Sequence, residues 1–200
     1  MQIYEIPYAA SADWRQIREA VIGEQPWSVV PGIRAFAQLA WNEHALMVRL
    51  RAEEPEILCR FTSDYDMVCL DSCLEFFFAP DCADTRYLNI ESNPAGAMFL
   101  GIGHGRADLT RLHPWDLQTL FRVTPFSCPG GWGVTYQIPV SFLRLFFPDF
   151  SLFAGKMLRG NFYKCGDETP QPHHLAWNSI SLPAPDFHCP QFFGQLRCVR

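Results

Sequence analysis

Hydrophobic and polar residues alternate with a period of two through most of this chain, in runs short enough to read as strands. "ALMVRLRAE" shows it most plainly, with Leu46, Val48 and Leu50 on one side and Met47, Arg49 and Arg51 on the other. The same reading gives strands at "RAFAQLAW", "CLEFFFA", "YLNIES", "AMFLGI", "LFRVTPF", "WGVTYQI", "MLRGNFYKC" and "GQLRCV". Gly, Pro, Asn and Asp separate these runs at short intervals, which is the punctuation of antiparallel sheets. Two stretches have helical spacing instead. "ADWRQIREAVI" puts Trp14, Ile17 and Val21 on one helical face behind Asp13 as N-cap, and "VSFLRLFFPD" allows a turn or two before Pro148. No linker, repeat or low-complexity run divides the chain. The expected fold is an all-β antiparallel β-sandwich, immunoglobulin- or jelly-roll-like, with one or two short helices, in a single domain over 1–200.

Charge narrows the partners. The net charge is −5 and no stretch concentrates Lys and Arg, so neither nucleic acid nor an anionic membrane is an expected partner. No segment approaches ~18 uninterrupted apolar residues, the length needed to span a bilayer. "MQIYEIPYAASADWRQ" has no basic region followed by an apolar run, which leads to the expectation of a cytoplasmic protein, or a secreted one if the chain is trimmed. Eight cysteines would suit a disulfide framework in a small exported domain. Here Cys59, Cys73, Cys165 and Cys198 fall in strand-like runs, and all eight are expected as reduced thiols. The 17 Phe, 6 Trp and 6 Tyr exceed what the core needs, so some rings are expected at a surface.

The alternation also sorts the polar residues. In "YLNIES", Tyr87, Asn89 and Glu91 share the face opposite Leu88 and Ile90; in "MLRGNFYKC", Arg159, Asn161 and Tyr163 share one. In "CLEFFFA", Glu75 projects with Cys73 and Phe77. A carboxylate amid three phenylalanines needs a cationic partner, water or a ligand, because an unpaired buried charge costs several kcal/mol. Three strands thus carry a face that mixes rings with hydrogen-bonding groups, as a binding surface does; a solvated outer face is the bland alternative.

Several constellations compete. Glu75 and Glu91 form a candidate hydrolase pair, one acid and one base or nucleophile, though hydrogen-bonded carboxylates are commoner. Cys165, His173, His174, His188 and Cys189 have metal-ligand chemistry but fit no zinc spacing. Asp64, Asp66, Asp71, Asp81 and Asp84 lack the EF-hand pattern and read first as turn formers. Trp115 in "RLHPWDL" and Trp177 in "PHHLAWNS" stand in polar connections, as stacking platforms or as ordinary packing.

"LAWNEHALMVRLRA", "DSCLEFFFAP", "YLNIESNPAG", "WGVTYQIPV", "GNFYKCGDETPQPHHLAWNS" and "PDFHCPQFFGQL", in this order over residues 35–197, resemble the family 9 carbohydrate-binding modules and their single-domain bacterial relatives. The resemblance implies a β-sandwich that binds sugars without chemistry, between two tryptophans and a set of Glu, Arg, Asn and Gln side chains, with structural calcium in some members. It matches Glu75 to a ligand-binding glutamate, Trp177 to one platform tryptophan and His174 to an amide-bearing contact. Val68 and Cys69 stand where the other tryptophan is expected, with Tyr65 or Trp115 as substitutes. The expected function is therefore binding of a mono- or oligosaccharide, in polysaccharide utilisation, by Glu75, Asn89, Glu91, Arg159, Asn161, His174, Trp177 and Trp115. Arg159 would neutralise Glu75, either within the sugar site or as a purely structural ion pair. A hydrolase using Glu75 and Glu91, or a scaffold that has lost the site, are the alternatives.

Overall fold

The computed structural model describes residues 1–200, and thirteen strands in it form two stacked sheets. The larger sheet runs β1 (Ile3–Pro7), β13 (Gly194–Val199), β11 (Met157–Cys165), β5 (Cys73–Ala79), β6 (Tyr87–Ser92), β7 (Met98–Gly103) and β8 (Thr110–Arg111), with β12 (His174–Ala176) also on β11. The smaller runs β2 (Ala20–Ile22), β3 (Arg34–Trp41), β4 (Ala45–Glu53), β10 (Gly131–Pro139) and β9 (Thr124–Cys128). All neighbours are antiparallel except β1 and β13. The family-like β-sandwich with little helix is what the alternation predicts.

The core follows from the period of two. Leu74, Phe76 and Phe78 of β5, with Leu88 and Ile90 of β6, meet Leu46, Val48 and Leu50 of β4 and Val134 and Ile138 of β10 in one apolar cluster. Each side chain is essentially without exposure, and burial of each contributes about 1.5–3 kcal/mol. A charged tie joins the layers at one end. Lys164 of β11, fully buried, places Nζ 3.1 Å from Glu54 Oε2 just beyond β4, and Trp132 Nε1 donates to Glu54 Oε1 at 2.5 Å.

Two expectations fail locally. The helix read into "ADWRQIREAVI" is a turn followed by β2. The carbonyls a helix would use are taken: Gln38 Nε2 donates to the Trp14 and Ile17 carbonyls at 2.7 and 2.5 Å, and Tyr4 Oη donates to that of Arg18 at 2.6 Å. "LFRVTPF" is a strand only from Thr124. Before it lies α1 (Leu117–Phe121), capped by Asp116, which accepts from the Thr119 amide at 3.1 Å. The helical turn read at "VSFLRLFFPD" is present as α2 (Val140–Leu143).

The outer face of the larger sheet is roofed rather than open. Val68, Ile180, Phe187, Cys189 and Phe193, from connections on either side, pack on Cys73, Phe77, Tyr87, Phe99, Tyr163 and Cys165. Every residue of β5 is consequently buried. Asp71 fastens one connection: it accepts from the Arg60 and Phe61 amides at 2.8 and 3.0 Å and from Asn93 Nδ2 at 3.0 Å. No helix is long and apolar enough to cross a membrane.

Candidate functional site

Between the roofing connections a cleft of about 300 Å³ reaches down to the sheet, with Glu75 and Glu91 among its lining residues. Strand register makes this floor. Glu75 lies directly across from Glu91 on β6 and from Tyr163 on β11, so the two carboxylates project side by side from one face. Glu75 is 3% exposed and Glu91 8%. Neither has a cationic partner. Cys165 Sγ donates to Glu75 Oε1 at 2.9 Å, and Asn89 Nδ2 donates to Glu91 Oε1 at 2.9 Å.

The walls are polar and paired. Arg106 donates to Asp186 at 3.0 Å, and His174 Nε2 meets Asp167 Oδ1 at 3.0 Å. Phe187 lines the cleft as a buried ring, stacked on Tyr163 with centroids 4.1 Å apart. His188 closes the far side, its Nδ1 2.7 Å from Tyr87 Oη.

Burial governs the ionisation here. It pushes Glu75 well above the usual carboxylate range, helped by the neighbouring Glu91 charge and opposed by the Cys165 thiol. Burial likewise raises Glu91 to about 7, against the stabilising Asn89 bond. His188 is held down at about 4, by burial first and then Arg106. Cys73 is raised to about 12 by burial, and Cys165 is raised by its bond with Cys73 and by burial. These thiols are protonated at neutral pH and are not poised nucleophiles.

Of the residues expected from the sequence, Glu75, Glu91 and His174 line the cleft, and Asn89 holds Glu91 from behind. The others stand elsewhere. Trp177 is 2% exposed and belongs to the core, packed on Phe162 with centroids 5.5 Å apart; a Cβ on Gly194 would come within 2.5 Å of its ring. The polar connection suggested a surface ring, but the Trp177 amide bonds to the Phe162 carbonyl at 2.9 Å and draws the side chain inward. Arg159 does not neutralise Glu75. It lies opposite Ala79, four residues along β5, and donates to the Pro190 carbonyl. Asn161 is buried and fixes the chain at Asn178, donating to its carbonyl and accepting from its amide. Trp115 is fully exposed and outside the cleft lining, and Tyr65 donates to the Pro114 carbonyl. Sequence reading missed Arg106, Asp167, Asp186 and Phe187 as wall residues. Asp167, Asp186 and Phe187 fall inside family-like segments, which is the signal that could have found them; Arg106 lies outside all of these segments.

Three potential metal ligands come together, Cys73, Glu75 and Cys165, with their ligand atoms within 4.8 Å of one another. That sulfur-rich set does not suit calcium, which takes oxygen ligands. Asp71 and Asp84 are engaged by Arg60 and Arg86, and Asp64 accepts from the Met98 amide and Gln118.

A family model for carbohydrate-binding family 9 matches residues 8–198. The chain belongs to that family. Among solved structures, it is similar to a candidate carbohydrate-binding protein from Bacteroides uniformis, at 26% identity and TM-score 0.84, covering 98% of this chain and 99% of that one. A family 9 module from Caldicellulosiruptor kristjanssonii in complex with glucose shares the fold at TM-score 0.71 and 14% identity, over 100% and 97% of the two chains. A family 9 module from the same organism in complex with cellotriose gives TM-score 0.70 and 14% identity, over 99% and 94%. No curated protein matches the chain in sequence.

Proposed function

We propose that residues 1–200 form one non-catalytic module that binds a sugar in the cleft over Glu75 and Glu91. The carrying observation is the pair of nearly buried carboxylates, free of cationic partners, at the bottom of an opening in a family 9 fold. At about 300 Å³ the cleft is at the small end of ligand pockets, ~300–1,000 Å³, which suits one or two sugar rings. Carboxylate, amide and guanidinium groups pair with adjacent hydroxyls, and Phe187 adds an apolar edge to the wall. Glu75, Glu91 and His174 are the direct contacts in this reading, with Asn89 as support and Arg106, Asp186 and Phe187 added. Arg159, Asn161 and Trp177 hold the scaffold.

The Glu75–Glu91 pair favours a second reading, hydrolysis, because cross-strand neighbours come near the ~5–5.5 Å spacing of a retaining glycosidase. Parallel projection from one floor argues against it, since catalytic carboxyls must flank the scissile bond. Calorimetry with mono- and disaccharides tests binding, and reducing-sugar release from a glycoside panel tests hydrolysis. Binding without release is the expected result. Release abolished by Glu75→Gln would establish the second reading instead.

A further inference from the structure

The cleft holds more carboxyl groups than its own cations can pair. Four carboxylates line it, and two have partners: Asp186 has Arg106, and Asp167 has His174. Glu75 and Glu91 receive bonds only from a neutral thiol and a neutral amide. The cations on the elements packed around them are all committed elsewhere. Lys164, on β11, projects to the opposite face and meets Glu54. Arg159, on the same strand, is bound to the Pro190 carbonyl. Arg111, beyond β7, lies over the Phe99 ring and reaches Met67. Beside Glu91 on the same face of β6, Asn89 Oδ1 is buried and has no hydrogen-bond donor. The floor is therefore a set of carboxyl and amide oxygens with no cation among them.

We infer that the cleft selects a cationic sugar, one bearing a free amino group, whose ammonium seats at Glu75 and Glu91. This rests on the sugar-binding reading and deepens it. An ammonium brings three donors and no acceptor, which matches a floor of acceptors. It also supplies the charge that two buried, adjacent carboxylates lack. A neutral hexose offers hydroxyl donors but no charge, and an N-acetylated sugar replaces the ammonium with an uncharged amide.

Calorimetry at pH 6.5 with glucosamine, galactosamine, glucose, galactose and N-acetylglucosamine tests this. An amino sugar should bind at least ~10-fold tighter than its hydroxyl and N-acetyl counterparts. Glu91→Gln should cut the preference to under ~3-fold, with circular dichroism confirming the fold. Equal or tighter binding of the neutral sugars overturns the inference and leaves sugar binding intact. Failure of every sugar, on this panel and on a broad glycan array, overturns both. Stoichiometric Zn²⁺ binding that is lost in Cys73→Ser and that excludes the amino sugar also overturns it, making Cys73, Glu75 and Cys165 a metal site.

Discussion

Glu91 carries a stability signature of its own. Its folded pKa lies above the unfolded value, so the folded state holds the extra proton. Stability is then undiminished below the unfolded pKa and falls as pH rises from about 4.5 to about 7. His188 and His173, both held down at about 4, act with the opposite sign, because burial keeps them neutral while the unfolded chain binds protons below about 6.5. Comparing variants isolates the carboxylate. Glu91→Gln keeps an acceptor for Asn89 and removes the titrating group. Its melting temperature should match wild type near pH 4.5 and exceed it at pH 7.5, by a margin equivalent to about 1–3 kcal/mol. A constant difference across that range would show that Glu91 is not burdened by burial. Trp177 supplies the contrasting case. Trp177→Ala should cost about 3–5 kcal/mol in denaturant unfolding, as expected for a core ring, and should leave no folded protein with merely weakened sugar binding. The sequence showed the company Glu75 keeps but not how deep it sits. Period two assigns a side chain to a face, whereas the roof over that face comes from connections that carry no periodic signal.

At the scale of elements, alternation located β3, β4, β5, β6 and β11 to the residue, because their apolar positions are fixed by one continuous core. It failed where side chains override the local backbone. Gln38 and Tyr4 claim the carbonyls of 14–18 from distant strands, and no spacing within "ADWRQIREAVI" encodes that. The sequence likewise could not show that Lys164 spans the layers, since a lysine in a strand reads as a solvated tip. Breaking this tie should be costly. Lys164→Met strands Glu54 in the interior and is expected to cost about 3–5 kcal/mol of unfolding free energy. Adding Glu54→Gln should recover part of that loss, since no uncompensated charge then remains, and a double-mutant cycle by chemical denaturation measures the coupling.

For the molecule as a whole, the six family-like segments were legible because they hold the floor strands and the connections that roof them. Of the site's wall pairs, Arg106 with Asp186 joins residues 80 apart in the chain and becomes visible only on folding, whereas Asp167 and His174 meet across one short connection. All eight cysteines stand as free thiols, with Cys59 and Cys82 exposed and Cys73, Cys165, Cys189 and Cys198 buried. Titration with a thiol reagent should find the exposed pair first and all eight after denaturation without reductant; a titre near zero would contradict this arrangement. The parallel pairing of β1 with β13 bears on how the protein is made. Ile3 pairs with Gln195, and Pro7 with Val199, so β1 finds its seat only once β13, made about 190 residues later, has emerged. At ~5–20 residues per second that delay is roughly 10–40 s, during which β1 has no place in the sheet. Cotranslational folding must begin from the strands between them, and termination before Gly194 leaves β1 without its partner.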